Sequence, residues 1–294
     1  MCKIGFDIVA IKSYIIDELK KNKEFLFNEL DLQMFVARAL DKKFPEEGYT
    51  IHLEYHLPQE WNQSFRENYT KIWGTEKPYF DIVIEQRVPN KFIVIELKYK
   101  LKKIEIQSDS FYRRFGEQPN TDVQLVTDQS ASNEGRYDFW KDVKRLEVLK
   151  NSFSTVIGGI AILVTNDHNY TKTNDGYKYS RYGLEDSDKE KNGLMYWNHN
   201  APNCKPLCNQ TNIICGAQIY CNYCGEHLKD GIGEYSPTDI SIYKRPNFLL
   251  EGKYRGKWFN GRDKEKGGFF NEELKQRYYC YSVLVSNNDK QDAK

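Results

Sequence analysis

The sequence predicts an α/β fold in which a mixed central sheet is flanked by helices. Three patterns predict it: apolar residues at helical spacing near the N-terminus, short β-branched runs that read as a hairpin, and a strand, helix and strand in succession. With 294 residues, 39% hydrophobic and 29% charged, the chain has enough apolar content for one substantial core plus a small satellite, and too much for general disorder.

Ile8, Ile11, Ile15 and Leu19 recur at helical spacing, so residues 8–20 read as an amphipathic helix. A second helix starts at Asn28, a good N-cap, and runs through Leu40 until Phe44-Pro45 stops it. Glu29, Gln33, Val36 and Leu40 share one stripe of that helix, so two polar residues top an apolar face. Residues 49–57 alternate as a half-buried strand, followed by a polar, aromatic-dotted loop to Pro78. Phe80 to Glu85 and Phe92 to Lys98 are β-branched runs separated by Val88-Pro89-Asn90, a turn signal, and form a hairpin. Residues 99–133 show weak periodicity and read as a long loop with a short helix. Gly135 to Lys150 is a helix with Tyr137, Trp140, Val143 and Leu146 facing inward, and Gly158 to Thr165 a continuous apolar strand. Strand, crossover helix and strand make a parallel βαβ unit. A strand candidate at Asn247 to Gly252 follows, and Tyr278 to Val285, rich in aromatic and β-branched residues, closes the fold as a helix end or strand. The division expected is a core in 1–170, a cysteine-bearing insertion in 171–240, and elements completing the core in 241–294.

A net charge of +1 gives no overall basic field, so any nucleic-acid contact must come from local patches. Lys98, Lys100, Lys102 and Lys103 form one such patch, and residues from Lys253 to Lys266 another; a solvated charged face explains each equally well. Asp7 and Lys12 interrupt any signal-peptide core, and the longest apolar run, Val156 to Val164, is too short to span a bilayer. The expectation is a cytoplasmic protein with no membrane partner. Five of the seven cysteines fall between Cys204 and Cys224, which in a cytosolic chain favours metal over disulfides.

The chemistry-bearing set is Asp81, Glu96 and Lys98. Glu96 and Lys98 lie two apart on one strand and project from one face. A turn centred on Pro89 and Asn90 places Asp81 opposite Lys98 and diagonal to Glu96, within reach of a shared ion. Hard cations require clustered carboxylate oxygens, and an apolar strand that ends in Glu-Leu-Lys places costly charges where only a site compensates them. A salt-bridged strand end is the plainer reading.

Asp81 followed by Glu96-Leu97-Lys98, at the end of a hairpin within an α-β-β-β-α-β order, resembles the PD-(D/E)XK nuclease superfamily over about residues 28–165. Asn28-Glu29-Leu30-Asp31-Leu32-Gln33 and Gly135-Arg136-Tyr137-Asp138-Phe139 look like a group of uncharacterised bacterial proteins carrying this core. The resemblance implies a restriction-endonuclease-like fold and a catalytic set of Asp81, Glu96, Lys98 and Glu29, with Gln33 beside it. It implies Mg²⁺ (or Mn²⁺) held by Asp81, Glu96, the Leu97 carbonyl and Glu29, with Lys98 orienting or activating the attacking water. Lys100, Arg136, Lys141 and Arg145 would hold phosphates; ordinary solvent-facing charge is the commoner explanation for the helical ones.

Cys204, Cys208, Cys221 and Cys224 have the pairing of a four-thiolate structural zinc site, and Cys221-Asn222-Tyr223-Cys224-Gly225 resembles a zinc-knuckle turn. Buried or scattered free thiols are the alternative. No phosphate-cradling or dinucleotide-binding loop is present. The function expected is a Mg²⁺-dependent DNA endonuclease of host-defence or mobile-element kind, with room for a homodimer. The rival expectation is a catalytically inactive nucleic-acid-binding or zinc-stabilised interaction protein on the same core.

Overall fold

The computed structural model describes residues 5–22, 26–44, 47–57, 63–73, 78–106, 123–127, 132–172, 184, 191–195, 248–272 and 274–286. The architecture is α/β, a mixed central sheet between helical layers. Helices α1 (Ile8–Lys21) and α2 (Glu29–Lys43) precede strand β1 (Tyr49–His56). Asp7 caps α1 by accepting from Ala10 N at 2.8 Å, and Asn28 caps α2 by accepting from Asp31 N at 2.9 Å. Next come helix α3 (Gln63–Trp73) and the hairpin of β2 (Tyr79–Gln86) and β3 (Lys91–Lys100). Two short strands, β4 (Ile104–Ile106) and β5 (Val123–Val126), pair with each other ahead of the long helix α4 (Ser132–Ser152) and strand β6 (Val156–Thr165).

Downstream, β7 (Lys191–Met195) pairs with β8 (Phe248–Tyr254) as a separate ribbon, and β9 (Gly256–Trp258), β10 (Phe269–Asn271) and β11 (Gln276–Ser286) follow. The sheet order is β1-β2-β3-β6-β11-β10, with β9 also paired to β11. β3 and β6 run parallel and are joined through α4, the expected βαβ unit. They are buried on both faces, which explains their unbroken Val, Ile and Leu content. On one face Ile82, Ile84, Ile93, Ile95 and Ile160 pack against Ile11, Ile15, Leu32, Val36 and Leu40 of α1 and α2. On the other, Val83, Val94, Ala161 and Leu163 pack against Tyr137, Trp140, Val143 and Leu146 of α4. Gly159 allows α4 to press this closely: a Cβ there would lie 2.7 Å from Leu146 Cδ2.

Three expectations are corrected. The stretch before Pro78 contains α3, whose Phe65 and Tyr69 are buried one helical turn apart. Residues 99–133 hold the β4–β5 pair among the described residues. The β2–β3 ladder pairs Gln86 with Lys91 and Ile82 with Ile95, so the turn is the four-residue loop Arg87 to Asn90, with Val88-Pro89 cis. Asp81 is therefore level with Glu96 rather than with Lys98. Because the slip is two residues, the alternation of faces survives and both carboxylates still point towards α4. Cys204, Cys208, Cys221 and Cys224, and with them the zinc expectation, lie outside the described residues. No helix among the described residues is long and apolar enough to cross a membrane.

Candidate active site

The site forms where two ladders fail around one residue. The β1–β2 ladder pairs Leu53 with Ile82 and Tyr55 with Phe80 but skips Glu54 opposite Asp81, and Glu54 adopts a left-handed φ of 49°. On the other side, β2–β3 pairing ends at Ile82 and Ile95. Backbone groups left over by such breaks must find other partners. The Asp81 carbonyl accepts from Gln33 Nε2 at 2.6 Å, and the same amide group donates to Glu54 Oε1 at 2.8 Å. The Leu97 N–H donates to Asp81 Oδ2 at 2.6 Å. Gln33, buried on α2, thus holds the backbone of Asp81 from behind, while the Asp81 carboxylate stands in for a missing strand carbonyl.

Beyond this break β3 carries Glu96 and Lys98 on the α4 side. Glu96, only 2% exposed, has Oε1 at 3.3 Å from Arg145 Nη1 but no hydrogen-bond partner for that oxygen among the described residues. Lys98 Nζ lies 3.1 Å from Asp142 Oδ2, 3.3 Å from Glu29 Oε1 and 3.2 Å from the Leu97 carbonyl. Glu29, at the first turn of α2, also accepts from Tyr99 N through Oε2 at 3.0 Å. Arg145 Nη1 is 3.4 Å from Asp142 Oδ1. The structure therefore brings Asp81, Glu96, Lys98, Glu29 and Gln33 together and adds Asp142 and Arg145.

The electrostatics are unbalanced. Four carboxylates, Glu29, Asp81, Glu96 and Asp142, face two cations, Lys98 and Arg145, so full ionisation leaves two negative charges in excess. Burial, reinforced by Asp142 and Glu29 and opposed by Lys98 and the Leu97 N–H, pushes the Asp81 carboxyl up to about 6. Burial likewise raises Glu96 well above the ordinary glutamate value; Arg145 pulls against it, and Asp81 and Asp142 add to it. Burial alone would lower Lys98, but the carboxylates of Asp142, Glu29, Asp81 and Glu96 outweigh it and hold the ammonium well above its usual range. Lys98 is accordingly held as an ammonium, a donor of hydrogen bonds and not a base.

A divalent cation would offset this excess in sign; an oxygen on each of Glu96 and Asp142 has no hydrogen bond among the described residues, although each is ion-paired, to Arg145 and to Lys98 respectively. Among the described residues, however, no three Asp, Glu, His or Cys side chains already form a metal cage. Asp81 and Glu96 could supply two donors to such an ion, and the Leu97 carbonyl, which accepts from Lys98, a third.

The phosphate-holding set is scattered by comparison. Arg136 is buried and donates to the Asn169 carbonyl, and Arg145 is turned inward on Glu96 and the Tyr79 carbonyl, so neither guanidinium is presented at the surface. Lys100 and Lys141 are partly exposed. Solvent-facing charge, the commoner explanation for the basic residues of α4, is corrected for Arg136 and Lys144, which are buried, as are Asp142 and Glu147 on the same helix. Asp142 was missed as a site residue although Phe139, Asp142, Leu146 and Leu149 make one stripe at helical spacing, and a carboxylate inside such a stripe must be buried or break it. Comparison of the chain with family models, with curated proteins and with solved structures returned no match.

Proposed function

We propose that this chain is a divalent-metal-dependent nuclease of the PD-(D/E)XK superfamily that hydrolyses phosphodiester bonds in DNA. The observation that carries the reading is the excess of carboxylates over cations where the β2–β3 pairing ends: Asp81, Glu96 and Asp142 are buried, Glu29 lies on the rim, and an oxygen on each of Glu96 and Asp142 has no hydrogen bond among the described residues. A protein interior does not hold such an excess without a counter-ion or bound protons. The groups to hold Mg²⁺ or Mn²⁺ are Asp81, Glu96 and the Leu97 carbonyl, with Glu29 bordering them. When bound, such an ion polarises a phosphate oxygen and acidifies a water. Lys98, kept protonated by its carboxylate neighbours, donates to phosphate or to the attacking water and stabilises the negative charge that develops on the phosphate. Glu29 and Asp142 position Lys98, and Gln33 fixes the backbone that carries Asp81.

The test is cleavage of supercoiled plasmid, single-stranded DNA and RNA with Mg²⁺ or Mn²⁺, by wild type and by Asp81→Ala, Glu96→Ala and Lys98→Ala proteins. The expected result is metal-dependent DNA cutting that falls by about 10²-fold or more in each variant. Undiminished cutting in all three would remove the site. A second reading, a nucleic-acid-binding core without turnover, is favoured by one observation: the described carboxylates form no ready three-ligand cage. It predicts DNA binding with no metal-dependent cutting under any of these conditions.

A further inference from the structure

Arg145 is held near Glu96 by contacts other than the ion pair between them. Its Nη2 donates to the Tyr79 carbonyl, and its guanidinium carbon sits 5.2 Å from the Phe80 ring centre and 5.9 Å from that of Tyr69. The pair with Glu96 is single-pronged and long, at 3.3 Å, and leaves Arg145 Nε and Glu96 Oε1 without hydrogen bonds among the described residues. Arginine grips a carboxylate best through two parallel N–H donors, and that geometry is not used here. The guanidinium is anchored by a carbonyl and two aromatic rings and, at 13% side-chain exposure, is screened little by solvent. Its charge stays put whether or not Glu96 turns away to another cation.

We propose that Arg145 is a resident counter-ion that competes with a divalent cation for Glu96, holding the metal affinity of the site below what its carboxylates alone would give. This rests on the metal-dependent reading above. Two consequences follow from Coulomb's law. Without metal, Arg145 offsets part of the carboxylate repulsion and keeps the empty site folded. With metal, the same charge repels the ion across a poorly screened gap, and losing it should tighten binding by roughly 10- to 100-fold. The device makes occupancy follow the free cation concentration instead of saturating.

Mn²⁺ binding to the full-length chain, by calorimetry and by loss of the free-ion electron-spin-resonance signal, tests this in wild type, Arg145→Met and Arg145→Lys. Methionine keeps the apolar packing and deletes the charge; lysine keeps the charge and loses the fork. The expected result is roughly 10- to 100-fold tighter Mn²⁺ binding by Arg145→Met, a larger Mn²⁺-induced rise in its Tm, and affinity within about threefold of wild type for Arg145→Lys. Should Arg145→Met be unfolded alone but folded by millimolar Mn²⁺, the competition is supported by that rescue. If Arg145→Met binds Mn²⁺ no better than wild type, or remains unfolded in saturating Mn²⁺, Arg145 is a structural cation and the proposal is overturned. Absence of Mn²⁺ binding by folded wild type and folded Arg145→Met alike would overturn the metal reading itself and this inference with it.

Discussion

Helix α4 buries two charged clusters within two turns, and they are built oppositely. Lys144 and Glu147 form one, and every oxygen of Glu147 is used: Oε1 accepts from Gly252 N and from Tyr254 OH at 2.6 Å each, and Oε2 accepts from Lys144 Nζ at 2.6 Å. Lys144 reaches on to Glu251 at 3.1 Å, so the network ties α4 to β8. Asp142 and Arg145 belong to the other, where negative charge exceeds positive and oxygens on Glu96 and Asp142 lack hydrogen bonds. Burial is common to both, so burial does not mark a site. What separates them is satisfaction: the first network is complete as it stands, and the second is incomplete in the way a cation or protons would complete.

The largest test of this contrast removes the saturated partner. Glu147→Ala leaves Lys144 buried with only the largely exposed Glu251 opposite, and strips the acceptor from Gly252 N and Tyr254 OH. Breaking a buried pair in this way costs about 3–5 kcal/mol, read as a lower urea midpoint, and the loss should be the same with and without Mg²⁺. A loss below about 1 kcal/mol, or one that Mg²⁺ repairs, would erase the distinction between the clusters.

Much of this arrangement was legible in the sequence, for reasons that also explain what was not. Apolar spacing located α1, α2, α4 and β6, because those elements bury continuous faces that periodicity reports directly. The pairing of Asp81 with Glu96 and Lys98 on one face followed from the two-residue alternation of strands, which a register slip of two leaves intact. Arg145 reads from the sequence as a phosphate-holding residue, with solvent-facing charge the commoner explanation, and Asp142 does not stand out, because charged residues on a helix normally face water. Helix α3 packs on α4 and sets Tyr69 against the Arg145 guanidinium, and the sequence reads that stretch as loop. The spacing of Phe65 and Tyr69 was the available signal. The ladder break at Asp81 could not be foreseen, since it rests on Glu54 taking a left-handed backbone that no glycine or asparagine announces.

A test of intermediate size uses pH. With its carboxyl raised from 3.8 to about 6, folded Asp81 keeps a proton that the unfolded chain has already released. Its contribution to stability is therefore full below about pH 4 and is lost as pH rises through 6, at up to about 1.4 kcal/mol per pH unit. Glu96, also raised, acts in the same direction. Urea midpoints of wild type and Asp81→Asn at pH 4.5, 5.5 and 6.5, without metal, isolate this residue, because asparagine keeps an acceptor for the Leu97 N–H. Wild type should lose stability relative to the variant as pH rises, by about 2 kcal/mol over the range, and saturating Mg²⁺ should flatten the difference. Curves that run parallel without metal would mean the carboxylate is not frustrated.

The smallest effect belongs to the rim. Glu29 is 39% exposed, so its 3.3 Å pair with Lys98 is screened by water, and Glu29→Gln keeps an acceptor for Tyr99 N. Solvent-exposed ion pairs contribute about 0–1 kcal/mol, and the variant should fall in that range by urea unfolding. Lys98, however, remains beside Asp142 in the variant but loses one of its two carboxylate anchors, so the ammonium is positioned less tightly. If Lys98 stabilises charge on a reacting phosphate, a looser ammonium should lower the metal-dependent cleavage rate by about 10-fold while leaving Mn²⁺ affinity within a few fold. A stability loss approaching that of Glu147→Ala would place Glu29 with the saturated network of α4 and move the boundary between scaffold and site onto α2.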